Sequence, residues 1–390
     1  MTIIAWLLVA SCTGWILLGL GSIVSSTRRT KARRLTTVGP PISPPVTVLK
    51  PLCGADAGLR DNLASFFEQD YPHFELLFGV QSPADPAIAV VEELRQRHPR
   101  VPCRLVVHDD DRAANPKVRN LRGMIGHGRH DLLLVSDSNV RAPDHYLRDM
   151  VRTLRADGTG DPVGLVTNVF AGADEDGLGA ALENVQLNGF CAAGATLPTR
   201  FGSAAVVGKS MLFSRSRFEA LGGFQRVADL LAEDYVMGKM FQHAGYRVRI
   251  APTVLTNVTT GMSVLAFLRR HQRWAMLRWR LLPVAFLLEP LTSPLAVLPW
   301  AWLALGSWAM VWVALLLVLR DVGGWVALRG WHRAWIPALL APLRELFVLA
   351  VWLRAPLKRH VTWRGTRIRV GAGTLLFAPR KMADVSRLAP

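Results

Sequence analysis

A chain of 390 residues, 51% hydrophobic and with a formal net charge of +17, has room for one large domain plus membrane segments. That much basic charge suits nucleic acid or an anionic membrane face, and 13 Trp with long apolar runs favour the membrane. The four Cys (Cys12, Cys53, Cys103, Cys191) are scattered with no CxxC spacing, which argues against zinc and for reduced thiols in a cytosolic setting.

Ile3 to Val24 carries no charge and is followed by Arg28, Arg29, Lys31, Arg33 and Arg34. At about 1.5 Å per residue this run spans a hydrocarbon core. No positive residue precedes it, so it reads as an uncleaved anchor with its N-terminus outside and the basic cluster inside. A Pro-rich linker follows, Gly39 to Pro45.

The next stretch alternates. Strands are expected at Val46 to Leu49, Phe74 to Val80, Arg104 to Val107 and Leu132 to Val135, with helices at Leu59 to Phe67, Ala87 to Arg97 and from Asn115-Pro116-Lys117 onward. This β-α-β-α order predicts a parallel, doubly wound sheet. The run Asp131 to Asn139 is its centre: Leu132 to Val135 fits a strand buried on both faces, closed by Asp137-Ser138-Asn139. Further strands are expected at Gly164 to Asn168, Ala204 to Phe213 and Arg247 to Ile250, and helices at Phe218 to Gly222 and Asp234 to Ala244.

Val264 to Leu282 interleaves Arg269, Arg270, Arg273, Arg278 and Arg280 with Leu, Met and Trp, as an interfacial helix does. Leu291 to Leu319 is free of charge, and Pro294 and Pro299 break its first part. Ala334 to Leu353 is a further apolar run, interrupted by Arg344-Glu345. Three crossings result, with one conflict: the connector bearing Arg320, Arg329 and Arg333 falls outside, against the positive-inside trend. A re-entrant piece within the long apolar stretch would relieve it.

Ligands of open α/β sheets lie at the carboxyl ends of the strands. Asp85, Asp137, Asp234 and Arg270-His271-Gln272-Arg273-Trp274 all fall at ends of predicted elements. Singly each has a simpler explanation: a turn, a helix cap, a solvated helix start, arginines among lipid headgroups. Together they serve one reaction. Asp85 can accept from a uracil or ribose, Lys117 can reach a phosphate as a point charge, Asp137 can ligate Mg²⁺ or Mn²⁺, and Asp234 can act as base. Arg270 and Arg273 share a helical face for phosphate oxygens, with Trp274 beside them. Gly208-Lys209-Ser210 resembles the end of a phosphate-binding loop, but Ser203 stands where that motif needs Gly; it reads as a strand edge or acceptor loop.

The order Asp85, Asp137-Ser138-Asn139, Glu233-Asp234 and Arg270-His271-Gln272-Arg273-Trp274 resembles the D, D, D, (Q/R)xxRW signature of inverting membrane glycosyltransferases. Lys50-Pro51-Leu52, Phe66-Phe67-Glu68-Gln69-Asp70-Tyr71-Pro72, Asn115-Pro116-Lys117, Ala232-Glu233-Asp234-Tyr235 and Trp363-Arg364 narrow the resemblance to the ceramide glucosyltransferase family. It implies an α/β GT-A fold, a Rossmann-like, mostly parallel cytosolic domain with an interfacial helix and about three transmembrane helices. It implies a UDP-sugar donor with a divalent metal on Asp137, and Asp234 as catalytic base. Lys50, Asp85, Lys117, Asp137, Asn139, Arg270, Arg273 and Trp274 become substrate-binding. Two departures stand out: Asn139 replaces the second Asp of a D-x-D pair, and Cys191 stands where animal members place a His.

The expected organisation is an anchor at 1–25, a linker at 26–45, the GT-A domain at 46–262, the interfacial helix at 263–283, transmembrane helices at 284–354 and a basic cytosolic tail at 355–390. The expected function is hexose transfer, glucose by resemblance, from a UDP-sugar to a membrane-lipid hydroxyl, ceramide first. The bilayer is the expected partner, with no nucleic acid and no obligate protein partner. The expected location is a bacterial inner membrane, with the catalytic domain on its cytoplasmic face. The rivals are transfer to another lipid (a hopanoid or diacylglycerol), a processive polysaccharide synthase, disfavoured by so few crossings, and a non-catalytic basic membrane-associated binding protein.

Overall fold

The computed structural model describes residues 1–36, 43–155, 162–202, 205–363 and 366–377. Part of the expected linker, Arg364 and the end of the expected tail lie outside these residues. Helix α1 (Thr2–Thr36) continues past the expected anchor through the basic cluster. The alternating half follows as β1 (Val46–Pro51), α2 (Leu59–Phe67), β2 (Phe74–Val80), α3 (Ala87–Arg97), β3 (Cys103–Val107), α4 (Pro116–Ile125) and β4 (Leu132–Ser136). Local chemistry sets these boundaries. Asn115 caps α4, its side chain accepting from the amides of Lys117 and Val118 at 2.9 and 3.2 Å, and Pro116 takes the first position, where no amide partner is needed.

The second half holds β5 (Val140–Arg141), α5 (Tyr146–Leu154), β6 (Val163–Thr167), β7 (Phe170–Ala173), α6 (Leu178–Gln186) and α7 (Ala192–Thr196), the last two joined by a π-helical turn, Leu187–Cys191. Then come β8 (Ser210–Ser214), α8 (Arg215–Ala220), α9 (Glu233–His243), β9 (Arg247–Ile250), β10 (Leu255–Val258) and α10 (Val264–Leu281). The main sheet has seven strands in the order β3-β2-β1-β4-β8-β6-β9, and a smaller one the order β5-β10-β7. The fold is α/β and mostly parallel, as expected, with one departure: β8 runs antiparallel to both β4 and β6.

Alternate residues of each strand feed two cores. Val48, Leu76, Leu134 and Leu212 pack under Phe66, Phe78 and Tyr146. Leu49, Leu77, Leu133, Val135 and Phe213 pack under Leu121, Phe218 and Phe241 on the other face. Helices therefore cover both faces, which is why the strands read as continuous apolar runs. Removing one of these aromatic side chains costs about 3–5 kcal/mol.

The apolar C-terminal third forms α11 (Pro283–Leu288), α12 (Pro294–Leu305), α13 (Trp308–Leu317), α14 (Gly323–Arg329) and α15 (Trp335–Arg354), with a π-helical turn at Val318–Val322 joining α13 to α14. Among the described residues, Thr2–Arg28, Trp308–Arg329 and Trp335–Arg354 are long and apolar enough to cross a membrane. Pro283–Thr292 and Pro294–Leu305 form a pair bent by 58°. Residues 355–390, expected as a tail, are folded through Phe377 as a three-stranded antiparallel sheet of β11 (His360–Trp363), β12 (Thr366–Val370) and β13 (Leu376–Phe377). It docks back on the α/β domain: Leu231 donates to the Thr374 carbonyl at 3.0 Å and Leu376 to that of Asp229 at 2.7 Å.

Candidate active site

Strands β1 and β4 run parallel, so Lys50 and Asp137 arrive at one edge of the sheet. Because β8 is antiparallel, its beginning lies at that same edge and delivers Gly208-Lys209. The Asp137 amide donates to the Lys209 carbonyl at 3.2 Å. Lys50 is completely buried. Its ammonium donates to Ser136 Oγ at 3.2 Å and to the Asp137 carbonyl at 2.7 Å, and sits 3.6 Å from the centre of the Phe66 ring. Burial holds it well below the usual lysine pKa.

The Asp137 side chain meets two further cations. Lys117 Nζ lies 2.9 Å from Oδ1 and Lys209 Nζ 3.8 Å from Oδ2. Burial opposes charge on Asp137, yet Lys117 and Lys209 hold its carboxyl below the usual range. Lys209 also donates to Asn139 Oδ1 at 3.1 Å, and Asn139 donates to Asn257 Oδ1 at 3.1 Å. Burial brings Lys209 down to about 8 against the pull of Asp137, with Arg270 and Lys117 repelling it further.

Lys117 links this edge to the start of α9. Its ammonium donates to the Gly208 carbonyl at 2.6 Å and stands 3.4 Å from Glu233 Oε1. Burial works against its charge but is outweighed by Asp137 and Glu233, so it stays above the usual lysine range. Asn115 ties the two helix starts together, donating to the Leu230 carbonyl at 2.7 Å and to Glu233 Oε2 at 3.1 Å. Glu233 is buried, and burial pushes its carboxyl up to about 7, with Asp234 adding repulsion against Lys117. Asp234 is only part-buried. It accepts from the amides of Gly208 and Tyr235, both at 2.7 Å, and burial raises its pKa as well.

On α10, Arg270 donates to Glu183 Oε1 at 2.9 Å, and His271 Nε2 stands 2.8 Å from Glu183 Oε2. Glu183 is wholly buried. Burial opposes its charge, but Arg270 and His271 bring it down to about 2. Trp274 meets the His271 ring edge-on at 5.2 Å, and Arg273 is half-buried on the same helix. Cys191, in the π-helical turn, is pushed up to about 12 by burial and the neighbouring Glu183, so it is a neutral thiol.

The structure thus gathers Lys50, Lys117, Asp137, Asn139 and Asp234 at one edge, with Arg270 near enough to Lys209 to repel it. Asp85 is tied instead to the segment after Lys50 and to the start of α3. Its carboxylate accepts from Gly54 at 3.0 and 3.1 Å and from Ala87 at 2.9 Å, so it caps α3 and fastens the segment that runs on from Lys50. Sequence reasoning missed Lys209, Glu183 and the engagement of Glu233. The signals were present: Gly208-Lys209 resembles a phosphate loop, and Glu183 is the lone acid between Leu178 and Phe190.

Among the described residues, no three His, Cys, Asp or Glu gather to hold a metal ion. The oxygen donors at the strand end are the Asp137 carboxylate and the Asn139 carbonyl. That set fits a divalent cation arriving with phosphate oxygens of its own, since Mg²⁺ is held by one or two carboxylates plus substrate phosphates.

Residues 13–376 match the sequence model of Glycosyl transferase family 21. The chain is similar to ceramide glucosyltransferase 1 of Caenorhabditis elegans, 31% identical over 251 residues, covering 64% of this chain and 53% of that protein. It is 30% identical over 257 residues to ceramide glucosyltransferase 3 of the same organism, with the same two coverages. The chain spans about half the length of these curated relatives. A mannosyltransferase from Pyrobaculum calidifontis, solved with GDP-Man and Mn²⁺, aligns with 90% of this chain and 99% of its own at 21% identity and a TM-score of 0.47. The match over nearly its whole length assigns this chain to glycosyl transferase family 21.

Proposed function

We propose that this protein transfers a hexose, glucose by its likeness to ceramide glucosyltransferases, from a UDP-sugar to the hydroxyl of a membrane lipid, ceramide first, with inversion. The observation that carries this is the pairing of a strand-end carboxylate braced by cations, Asp137 with Lys117 and Lys209, with a part-open carboxylate, Asp234, across the Gly208 loop.

The donor diphosphate lies at Asp137, Lys117 and Lys209, with Arg270 and Arg273 on the α10 side and Trp274 as a wall. Asp85 receives the uridine beside Gly54. Lys50 fixes the Asp137 backbone from beneath. A divalent cation held by Asp137 with Asn139 would neutralise part of the diphosphate charge. Asp234 takes the proton of the acceptor hydroxyl, whose oxygen attacks the anomeric carbon from the face opposite UDP. The bond from that carbon to the diphosphate oxygen breaks, and UDP leaves with the electron pair, its charge met by the lysines and arginines. Glu233 is held by Lys117 and Asn115, which leaves Asp234 as the base that faces the cleft.

Purified membranes incubated with UDP-glucose, UDP-galactose or UDP-GlcNAc plus ceramide or diacylglycerol, read by mass spectrometry, test the reaction and its acceptor. The Asp234→Asn variant is expected to lose transfer by about 10²–10⁴-fold while retaining UDP binding. Near-normal turnover in that variant removes Asp234 as the base.

A further inference from the structure

Helix α15 has the length and apolarity of a membrane span, yet its start is fastened to the α/β domain and its end to α10, which itself packs on that domain through Met276 and Leu231. At its beginning, Arg329 and Arg333 pair with Glu175 at 2.9 and 3.4 Å. Glu175 follows β7 and also accepts from Asn184 of α6 at 2.7 Å. At its end, Val351 and Ala355 pack with Ala275 of α10 and Phe286, and Trp352 donates to the Phe286 carbonyl at 2.8 Å. Just beyond, Arg280 of α10 donates to the carbonyls of Gly371 and Lys358 at 2.8 and 3.3 Å. A single helix of 20 residues, unbroken through Pro342 and about 30 Å long, cannot cross a bilayer and have both ends on one side.

We infer that α15 lies in the plane of the leaflet nearest the catalytic domain, and that the three crossings are α1, the bent α11–α12 pair and α13–α14. The other helices fix the directions. Trp312 donates to Thr13 at 3.1 Å, Ile16 and Leu316 share one cluster, Leu20 lies against Gly323, and Ile23 packs with Ala327 and Leu328. Helices α1 and α13–α14 therefore run side by side in the same direction, toward the domain where Arg329 meets Glu175. Gly306 turns the chain at the far face, so α11–α12 must carry it there from α10.

The faces of α15 agree. Trp335, Leu339, Leu346 and Leu353 are spaced to share one side, and they are 63, 69, 57 and 65% exposed. The occupant of this apolar face is the acyl region of that leaflet. The opposite side carries Arg344 and Glu345, buried against Asp321 and Arg320, where a charge at that depth is paired rather than lipid-facing. This arrangement also removes the charge conflict in the sequence. Arg329, Arg333, Lys358, Arg359 and Arg367 share the catalytic side, and the far-side turn Gly306-Ser307 has no Lys or Arg.

The test is labelling of the full chain in sealed membrane vesicles with a membrane-impermeant maleimide. The exposed Cys53 marks the catalytic side, and Cys12, Cys103 and Cys191 are replaced. Ser307→Cys, His332→Cys and Leu357→Cys are then introduced one at a time, and detergent-opened vesicles give the total. The expected result is that His332→Cys and Leu357→Cys both label from the Cys53 side, and Ser307→Cys from the opposite side. If His332→Cys does not label from the Cys53 side, whether it labels from the other side or only in detergent, α15 is a crossing and the inference is overturned. The same holds if Leu357→Cys and His332→Cys label from different sides.

Discussion

Gly208 donates its amide to Asp234 Oδ2 at 2.7 Å, and a methyl group on Gly208 would stand 2.8 Å from that same oxygen. The loop before β8 therefore holds the proposed base by an approach that only glycine permits. The Gly208 backbone angles are not the reason, since its φ is not among the positive ones. The reason is the space that the carboxylate fills.

Gly208→Ala is expected to displace the Asp234 carboxylate and lower kcat, by up to about 100-fold for a shift near 1 Å. Donor affinity should change little if Lys117 and Lys209 stay in place. Steady-state kinetics with varied UDP-sugar, alongside UDP binding by calorimetry, separate the two. A variant with normal kcat would mean that Asp234 need not sit where Gly208 holds it.

Lys209→Met removes a cation that touches both Asp137 and Asn139. A charge-assisted hydrogen bond contributes about 1.5–3 kcal/mol, so UDP affinity is expected to fall at least about tenfold. Chelation of divalent ions should weaken UDP binding further, and should do so less in an Asp137→Asn variant, which lacks the proposed ligand. Equal sensitivity to chelator in both proteins would take Asp137 out of metal binding.

The Glu233 carboxyl is pushed up from 4.5 to about 7 in the folded chain. Between those values the folded protein keeps a proton that the unfolded chain has already released. Stability is therefore greatest below that window and is lost as pH rises through it. The melting temperature of the donor-free protein is expected to drop between about pH 5 and about pH 8, and Glu233→Gln is expected to flatten that slope. A melting temperature that climbs over this range would place the dominant titration elsewhere.

Much of the fold is legible locally. Helices Leu59–Phe67 and Ala87–Arg97 and strands Phe74–Val80 and Arg247–Ile250 begin and end where the sequence places them. Apolar runs and turn residues act over a few positions, so nothing distant is needed to find them. Helix α6 and strands β7 and β10 were not legible. Gly179 to Gln186 are all buried, so no polar face marks a helical period. The C-terminal sheet was hidden for a related reason: its partners, Asp229 and Leu231, lie more than a hundred positions away.

What the sequence determined by itself was the set of chemical groups: strand-end Asp137, the acidic start of α9 and the basic helix α10, each written in a short local pattern. What only the tertiary structure decided was which groups meet. The reversed direction of β8 brings Lys209 to Asp137, Glu183 reaches across 87 positions to Arg270, and Glu175 ties down Arg329 across 154. Strand direction and ion pairing depend on distance through space in a low-dielectric interior, and spacing along the chain carries no record of that distance.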